Sequence, residues 1–291
     1  MLRFFSLFFI YLSLSFLSQA QINQHIPMIA PQVENNYQIN IHDLDFNQQT
    51  YRLFIAQPKQ PQPHQRVLYV LDGNAQFPLA LNAVDPHKTL PWIVGLGYPS
   101  PQAYPIAERT RDYTFAAQGE QFAQGGGAAA FLQFIQQQAI PVVQQYLQPQ
   151  IPQQQMLFGH SFGGLFALYT LFHQGELFDH YVIASPSLWW GNGKIRQQMP
   201  ARLANHIQHI QFYLGEYEAY PEQDPNINAE RLARIQQRRQ SLTTENFVAL
   251  LQQRYPKTAM DFQLVAKQNH GGVIPFAIKL AVASIQQEPL K

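Results

Sequence analysis

Hydrophobic and polar residues alternate with period two over residues 37–42 and 49–56, where Tyr51, Leu53 and Ile55 share one side. Both segments therefore read as half-buried strands. Residues 67–71 are apolar throughout, the pattern of a strand buried on both faces of a parallel sheet. Further strands are read at 91–96, 156–158, 181–184, 207–214 and 261–265. Helical segments are predicted at 128–147, kinked or split at Pro141, at 163–173, at 228–254 with a break near 241–244, and at 272–287. Asp72-Gly73-Asn74 is a turn that ends the third strand, and the residues from 99 to 127 read as a long loop. Parallel strands need crossovers, usually helices. The order predicts one α/β domain over 21–291, a mostly parallel, doubly wound sheet with helices on both faces.

The first twenty residues do not fit that pattern. Arg3 precedes an apolar run from Phe4 to Leu17, and Ser18-Gln19-Ala20 places small residues where a signal peptidase reads them. The run is shorter than the roughly 20 residues a membrane span needs, so residues 1–20 are expected to be a secretory signal peptide. Its removal takes away Arg3 and leaves the charges balanced.

Composition narrows the chemistry. The 291 residues carry no cysteine, which removes disulfides, thiolate metal sites and cysteine nucleophiles together. Charged residues are only 13% against about a quarter in ordinary soluble proteins, while glutamine alone numbers 42. The net charge of +1 excludes a bulk polycation for nucleic acid. Nothing in the sequence calls for a metal or another cofactor, and a monomer is expected.

Gly159-His160-Ser161-Phe162-Gly163 falls between a predicted strand and a predicted helix. A G-x-S-x-G turn in that setting holds the serine in a strained conformation with Oγ exposed. Both flanking glycines are expected to be sterically required. A serine hydroxyl needs an adjacent base, and in the chain order of this motif the histidine comes last. His270, in Asn269-His270-Gly271-Gly272 after the final strand, is the one of ten histidines so placed. The strand at 207–214 runs into Gly215-Glu216-Tyr217-Glu218, so the third member is Glu218, Glu216 or no acid. Two amides are needed for an oxyanion: that of Phe162, immediately after the serine, and one from the Asp72 turn, Asn74 ahead of Gly73.

These segments, with Arg109-Thr110-Arg111-Asp112-Tyr113-Thr114 and Ser185-Pro186-Ser187-Leu188-Trp189-Trp190, resemble the esterase-D-like branch of the α/β-hydrolases. More narrowly they resemble its siderophore esterases, the periplasmic enterobactin and salmochelin trilactone hydrolases. The resemblance runs from about residue 38 to the C-terminus. It implies an α/β-hydrolase fold, Ser161 and His270 as nucleophile and base, no cofactor and a periplasmic location. It also implies a small-molecule ester substrate such as a ferric catecholate trilactone, whose iron is cargo.

An anionic catecholate calls for guanidinium groups and aromatic faces. Arg109 and Arg111, in the loop after the fourth strand, and Trp189 and Trp190, after the strand following the serine, are the candidates for substrate binding. Asp112 reads as a structural anchor. Residues 219–258 are expected to form a helical lid, on which Arg231, Arg234 and Arg238 share a face. The same machinery would serve a general carboxylesterase, a feruloyl-type esterase or an acyltransferase, and a non-catalytic siderophore-binding module is the remaining alternative.

Overall fold

The computed structural model describes residues 23–287; the expected signal peptide at 1–20 lies outside them. Among these residues eight strands form one sheet: β1 (Tyr37–Phe46), β2 (Gln49–Pro58), β3 (Arg66–Val70), β4 (Trp92–Gly97), β5 (Gln154–His160), β6 (His180–Ala184), β7 (His209–Gly215) and β8 (Met260–Val265). Their order is β1-β2-β4-β3-β5-β6-β7-β8. The β1–β2 and β2–β4 pairs are antiparallel, and every pair from β4 to β8 is parallel. Among the described residues no helix is long and apolar enough to cross a membrane.

Strand alternation splits the core in two. Val67, Tyr69 and Leu71 enter one cluster, and Leu68 and Val70 enter the other, because successive side chains point to opposite faces. Among the described residues, ten α-helices surround the sheet: α1 (Val33–Asn36), α2 (Gly73–Asn82), α3 (Ile106–Tyr113), α4 (Ala128–Phe134), α5 (Ile140–Leu147), α6 (Phe162–His173), α7 (Glu216–Ala219), α8 (Ala229–Arg239), α9 (Thr244–Arg254) and α10 (Val273–Gln286). Helices α2 and α10 cover the face of Leu68 and Val70; α4, α5, α6 and α9 contribute to the other cluster.

Besides the one-turn helices α1 and α7, two longer helices differ from the sequence reading. The turn at Asp72 opens directly into α2, which has no amphipathic stripe to betray it, being buried almost all round, and which carries Pro78 one turn in. The expected loop 99–127 contains α3, with Glu108 in its first turn and Arg111 in its last, the charge order that favours a helix dipole. At 128–147 the expected break takes the form of a π-segment, Ile135–Ala139, in which Ile140 donates to the carbonyl five residues back, just before Pro141.

The sheet order changes direction at β3, whose neighbours are β4 and β5. Crevices outside the carboxyl ends of strands at such a switch point are where α/β sheets bind ligands. Here those ends are Asp72 and Ser161.

Candidate active site

Ser161 joins β5 to α6 at φ 60°, ψ −118°, a conformation that costs a residue with a Cβ about 1–3 kcal/mol. Its backbone is fixed on both sides. The amide donates to the Ala184 carbonyl, and the carbonyl accepts from Leu165 and Ser187, all at 3.0 Å. A Cβ on Gly159 would lie 2.2 Å from the Gly163 carbonyl oxygen, so no side chain fits there. Gly163 is different: its Cβ would meet Leu71 at 3.4 Å, an ordinary contact. The tighter helix glycine is Gly164, 3.0 Å from the Ala184 carbonyl oxygen. The expected requirement for both motif glycines is thus corrected to Gly159 alone. Gly159→Ala should cost about 3 kcal/mol or more in chemical denaturation, and Gly163→Ala about 1 or less. Equal losses would refute this reading of the elbow.

His270, between β8 and α10, places Nε2 3.0 Å from Ser161 Oγ. Its Nδ1 lies 2.6 Å from Glu218 Oε2. With the carboxylate accepting the Nδ1 proton, Nε2 is left to accept from the Ser161 hydroxyl. Glu218 is the third residue of α7 and its other oxygen accepts from the Gly215 amide at 3.1 Å and from Ser185 Oγ. Burial works against the Glu218 carboxylate. The His270 charge and the hydrogen bonds from His270, Ser185 and Gly215 outweigh burial and hold the pKa below the ordinary glutamate value. Glu216 points elsewhere: it accepts from the Lys267 amide at 2.7 Å. Together with the Tyr217 amide on the Gln268 carbonyl, that bond ties the glutamate turn to the histidine loop. Of the two glutamates, Glu218 is the one whose carboxylate reaches the His270 ring.

His160 lies inside the motif, next to Ser161. It has a partner that its sequence position did not reveal. Its Nε2–H donates to the His270 carbonyl at 2.8 Å, and the two rings lie 4.6 Å apart. Burial, with the charges of His270 and Arg109, pushes its pKa well below the usual histidine value, so the ring is neutral. A His160→Ala variant should lower kcat about 10-fold or more with little change in KM, because the histidine loop loses its support. An unchanged kcat would remove His160 from the site.

Two helix starts meet beside Ser161. First-turn amides have no acceptor within their own helix, and Phe162 opens α6 while Gly73 and Asn74 open α2. A Cβ on Gly163 would lie 3.6 Å from Asp72 Oδ2, which shows how closely the two starts approach. The Asn74 side chain is buried and engaged: Oδ1 accepts from the Tyr98 amide at 2.9 Å, and Nδ2 donates to the Tyr98 and Ser100 carbonyls at 3.0 Å. Only its backbone amide is on offer to a ligand. Ser187, which no sequence signal marked, sets its hydroxyl 3.3 Å from Ser161 Oγ.

The arginines depart from expectation. Arg109 lies on α3, 5% exposed, with Nε and Nη2 on the two oxygens of Asp72 at 2.8 and 2.9 Å. Arg111 holds Asp112 through Nε and Nη2, both at 2.7 Å, and Gln49 through Nη1. Both guanidiniums are committed to internal carboxylates, so their expected placement in a loop facing substrate is corrected; Asp112 is the anchor it was expected to be. Trp190 is buried and donates to the Phe115 carbonyl at 2.8 Å, so it packs the core. Trp189 is half-buried, 5.7 Å from the Phe162 ring, with the Arg238 guanidinium 4.2 Å above its face. Although Arg238 as a residue is exposed, desolvation around its guanidinium and the charge of Arg234 pull its pKa down to about 10, leaving it cationic at neutral pH.

Residues 219–258 divide. Helix α8 buries nothing, whereas α9 buries Thr244, Phe247, Val248 and Leu251. The expected lid over 219–258 is therefore not uniform, since α9 is part of the core and α8 is not. Arg239 pairs with Glu245 at 2.9 Å and Arg254 with the Pro200 carbonyl, so neither shares the role of Arg238.

Comparison with known proteins shows the family. Residues 47–272 match the Esterase family model, described as "Putative esterase". The ferri-bacillibactin esterase BesA of Bacillus subtilis is 31% identical over 207 residues, 63% of this chain and 71% of that protein. The apo-salmochelin esterase of Escherichia coli O6:H1 is 32% identical over 168 residues, 52% of this chain and 51% of that one. Among solved structures, the siderophore hydrolase EstA of Aspergillus nidulans superposes with a TM-score of 0.74 at 25% identity, covering 85% of this chain and 94% of that one. The family match spans most of the chain, and its strand order and elbow are those of an α/β-hydrolase: the chain belongs to the Esterase family and is an ester hydrolase.

Proposed function

We propose that this protein is a serine esterase that opens the ester backbone of a catecholate siderophore, with Ser161, His270 and Glu218 as its triad. The observation that carries the mechanism is the hydrogen-bonded line from Ser161 Oγ through the His270 ring to Glu218, at 3.0 and 2.6 Å. Ser161 Oγ attacks the ester carbonyl as its proton passes to His270 Nε2. The oxyanion accepts from the Phe162 and Asn74 amides. The ester C–O bond breaks, and the leaving alkoxide takes the proton from His270. Water, deprotonated by the same nitrogen, then releases the acid and restores Ser161.

The substrate class is supported by the relatives, which are named for bacillibactin and salmochelin esters, and by Trp189 under Arg238, an aromatic face and a cation suited to an anionic ring. Iron arrives with such a substrate and is not part of the enzyme. The protein acts as a monomer after export to the periplasm by its N-terminal segment. A second reading, a carboxylesterase for less charged aryl esters, is favoured by the pairing of Arg109 and Arg111 with carboxylates, which takes two cations away from substrate.

The test compares kcat/KM for a catecholate trilactone, iron-loaded and iron-free, with that for p-nitrophenyl acetate, in the unaltered enzyme and in Arg238→Ala. Preference for the trilactone, reduced about 10-fold or more in the variant, supports the proposal. Preference for the simple ester, with no response at Arg238, favours the second reading.

A further inference from the structure

Arg109 is a buried cation that the proposed catalytic steps do not use. Its guanidinium is held by five groups. Two are the carboxylate oxygens of Asp72; the other three are the rings of Phe162, Tyr113 and Tyr104, at 5.5, 5.8 and 5.7 Å. Asp72 and Phe162 are the residues that set the two candidate oxyanion donors. Asp72 sits at φ 52°, ψ 46°, a left-handed conformation uncommon for a residue with a side chain. Its amide donates to Tyr113 Oη at 2.8 Å, and its carbonyl accepts the Ala75 and Gln76 amides at 2.9 Å. The direction of the Gly73 and Asn74 amides follows from that conformation. Phe162 supplies the other amide from the first residue of α6.

We propose that Arg109 is the positioning residue of the oxyanion pocket, coupling its two donors by holding Asp72 with a two-point ion pair and the Phe162 ring with its face. A planar fork matches a carboxylate at two points, and a lysine cannot. The proposal rests on the assignment of Ser161 and the Phe162 and Asn74 amides to ester hydrolysis, but not on the identity of the ester. It replaces a substrate contact with a support role: Nε and Nη2 are already engaged, and so little of Arg109 meets solvent that a ligand finds almost no surface on it.

The experiment uses Arg109→Lys, which keeps the charge and loses the fork. Three probes read it: p-nitrophenyl acetate turnover, the affinity of an aryl trifluoromethyl ketone, and the rate at which an alkyl fluorophosphonate labels Ser161. The expected result is kcat lower by about 30-fold, KM within about 3-fold, and labelling slowed. Affinity for the ketone, whose hemiketal oxyanion needs both amides, should weaken by the same factor as kcat/KM. A rise in KM alone would overturn the proposal in favour of substrate contact. An unchanged kcat, or a fall in kcat with ketone affinity intact, would also overturn it. If Arg109→Lys does not melt cooperatively, Asp72→Asn is measured by the same criteria, since it breaks the same ion pair from the other side. Failure of Ser161 to be labelled in the unaltered enzyme is a separate result and would sink the catalytic assignment itself.

Discussion

Ser161→Ala is expected to lower kcat for ester hydrolysis by about 10⁶-fold, and Ser161→Gly by as much, yet the glycine variant should be the more stable of the two. The usual order is the reverse, since glycine is worse than alanine by about 0.5–1 kcal/mol through the entropy of its unfolded chain. At φ 60°, ψ −118° the Cβ of serine or alanine carries strain of about 1–3 kcal/mol, which glycine does not feel. The net gain is about 1 kcal/mol, or a few degrees in Tm for a domain of this size. Thermal melts of the three proteins and p-nitrophenyl acetate kinetics decide it. A glycine variant that melts below the alanine variant would mean the elbow is not strained. Turnover surviving in Ser161→Ala would point to the Ser187 hydroxyl, 3.3 Å away, as the attacking group.

The strain at Ser161 was legible because a five-residue motif between a strand and a helix has few ways to fold. The same holds for the central strands, whose uninterrupted apolar runs leave no doubt about burial on both faces. Helix α2 was hidden for an opposite reason. It begins at a turn tripeptide, contains a proline and is buried on nearly every side, so neither periodicity nor capping marks it. Its existence matters to function, since the first-turn amides of a helix are donors and those of an isolated turn need not be.

Arg109 and Arg111 were legible as unusual and misread as to purpose. Charge in a charge-poor chain draws the eye to a ligand, but the sequence cannot show that Asp72, 37 residues earlier, lies against Arg109. The carboxylate that answers Arg111 is the next residue, Asp112, and a pair so close in sequence has no spacing signature on a helix. The Trp189-Trp190 pair shows the same limit. Consecutive residues point in different directions, so Trp190 enters the core while Trp189 stays half-buried beneath Arg238. The partners of His160 and Ser185 were hidden because each lies more than 30 positions away.

Glu218→Gln should reduce kcat by about 10⁴-fold, whereas Glu216→Gln should leave it within about 5-fold. The size of the first effect follows from what holds the carboxyl group. Oε1 accepts from the Gly215 amide, a donor that cannot reverse, so a glutamine at 218 must place its oxygen there. Its NH₂ group then faces His270 Nδ1 at the position of Oε2. Two N–H groups cannot share that hydrogen bond. The imidazole therefore moves its proton to Nε2, where it can no longer accept from Ser161. Glutamine at 216 has no such conflict, since its carbonyl can still accept from the Lys267 amide. Stability responds to pH in a matching way. The folded pKa of Glu218 is lowered, so its stabilising contribution is complete above the unfolded value of about 4.3 and is lost as pH falls through the folded one. The stability gap between the parent and Glu218→Gln should be widest at neutral pH and close in acid, as read by chemical denaturation at several pH values. A kcat within about 10-fold of the parent would show that Ser161 and His270 suffice without the acid.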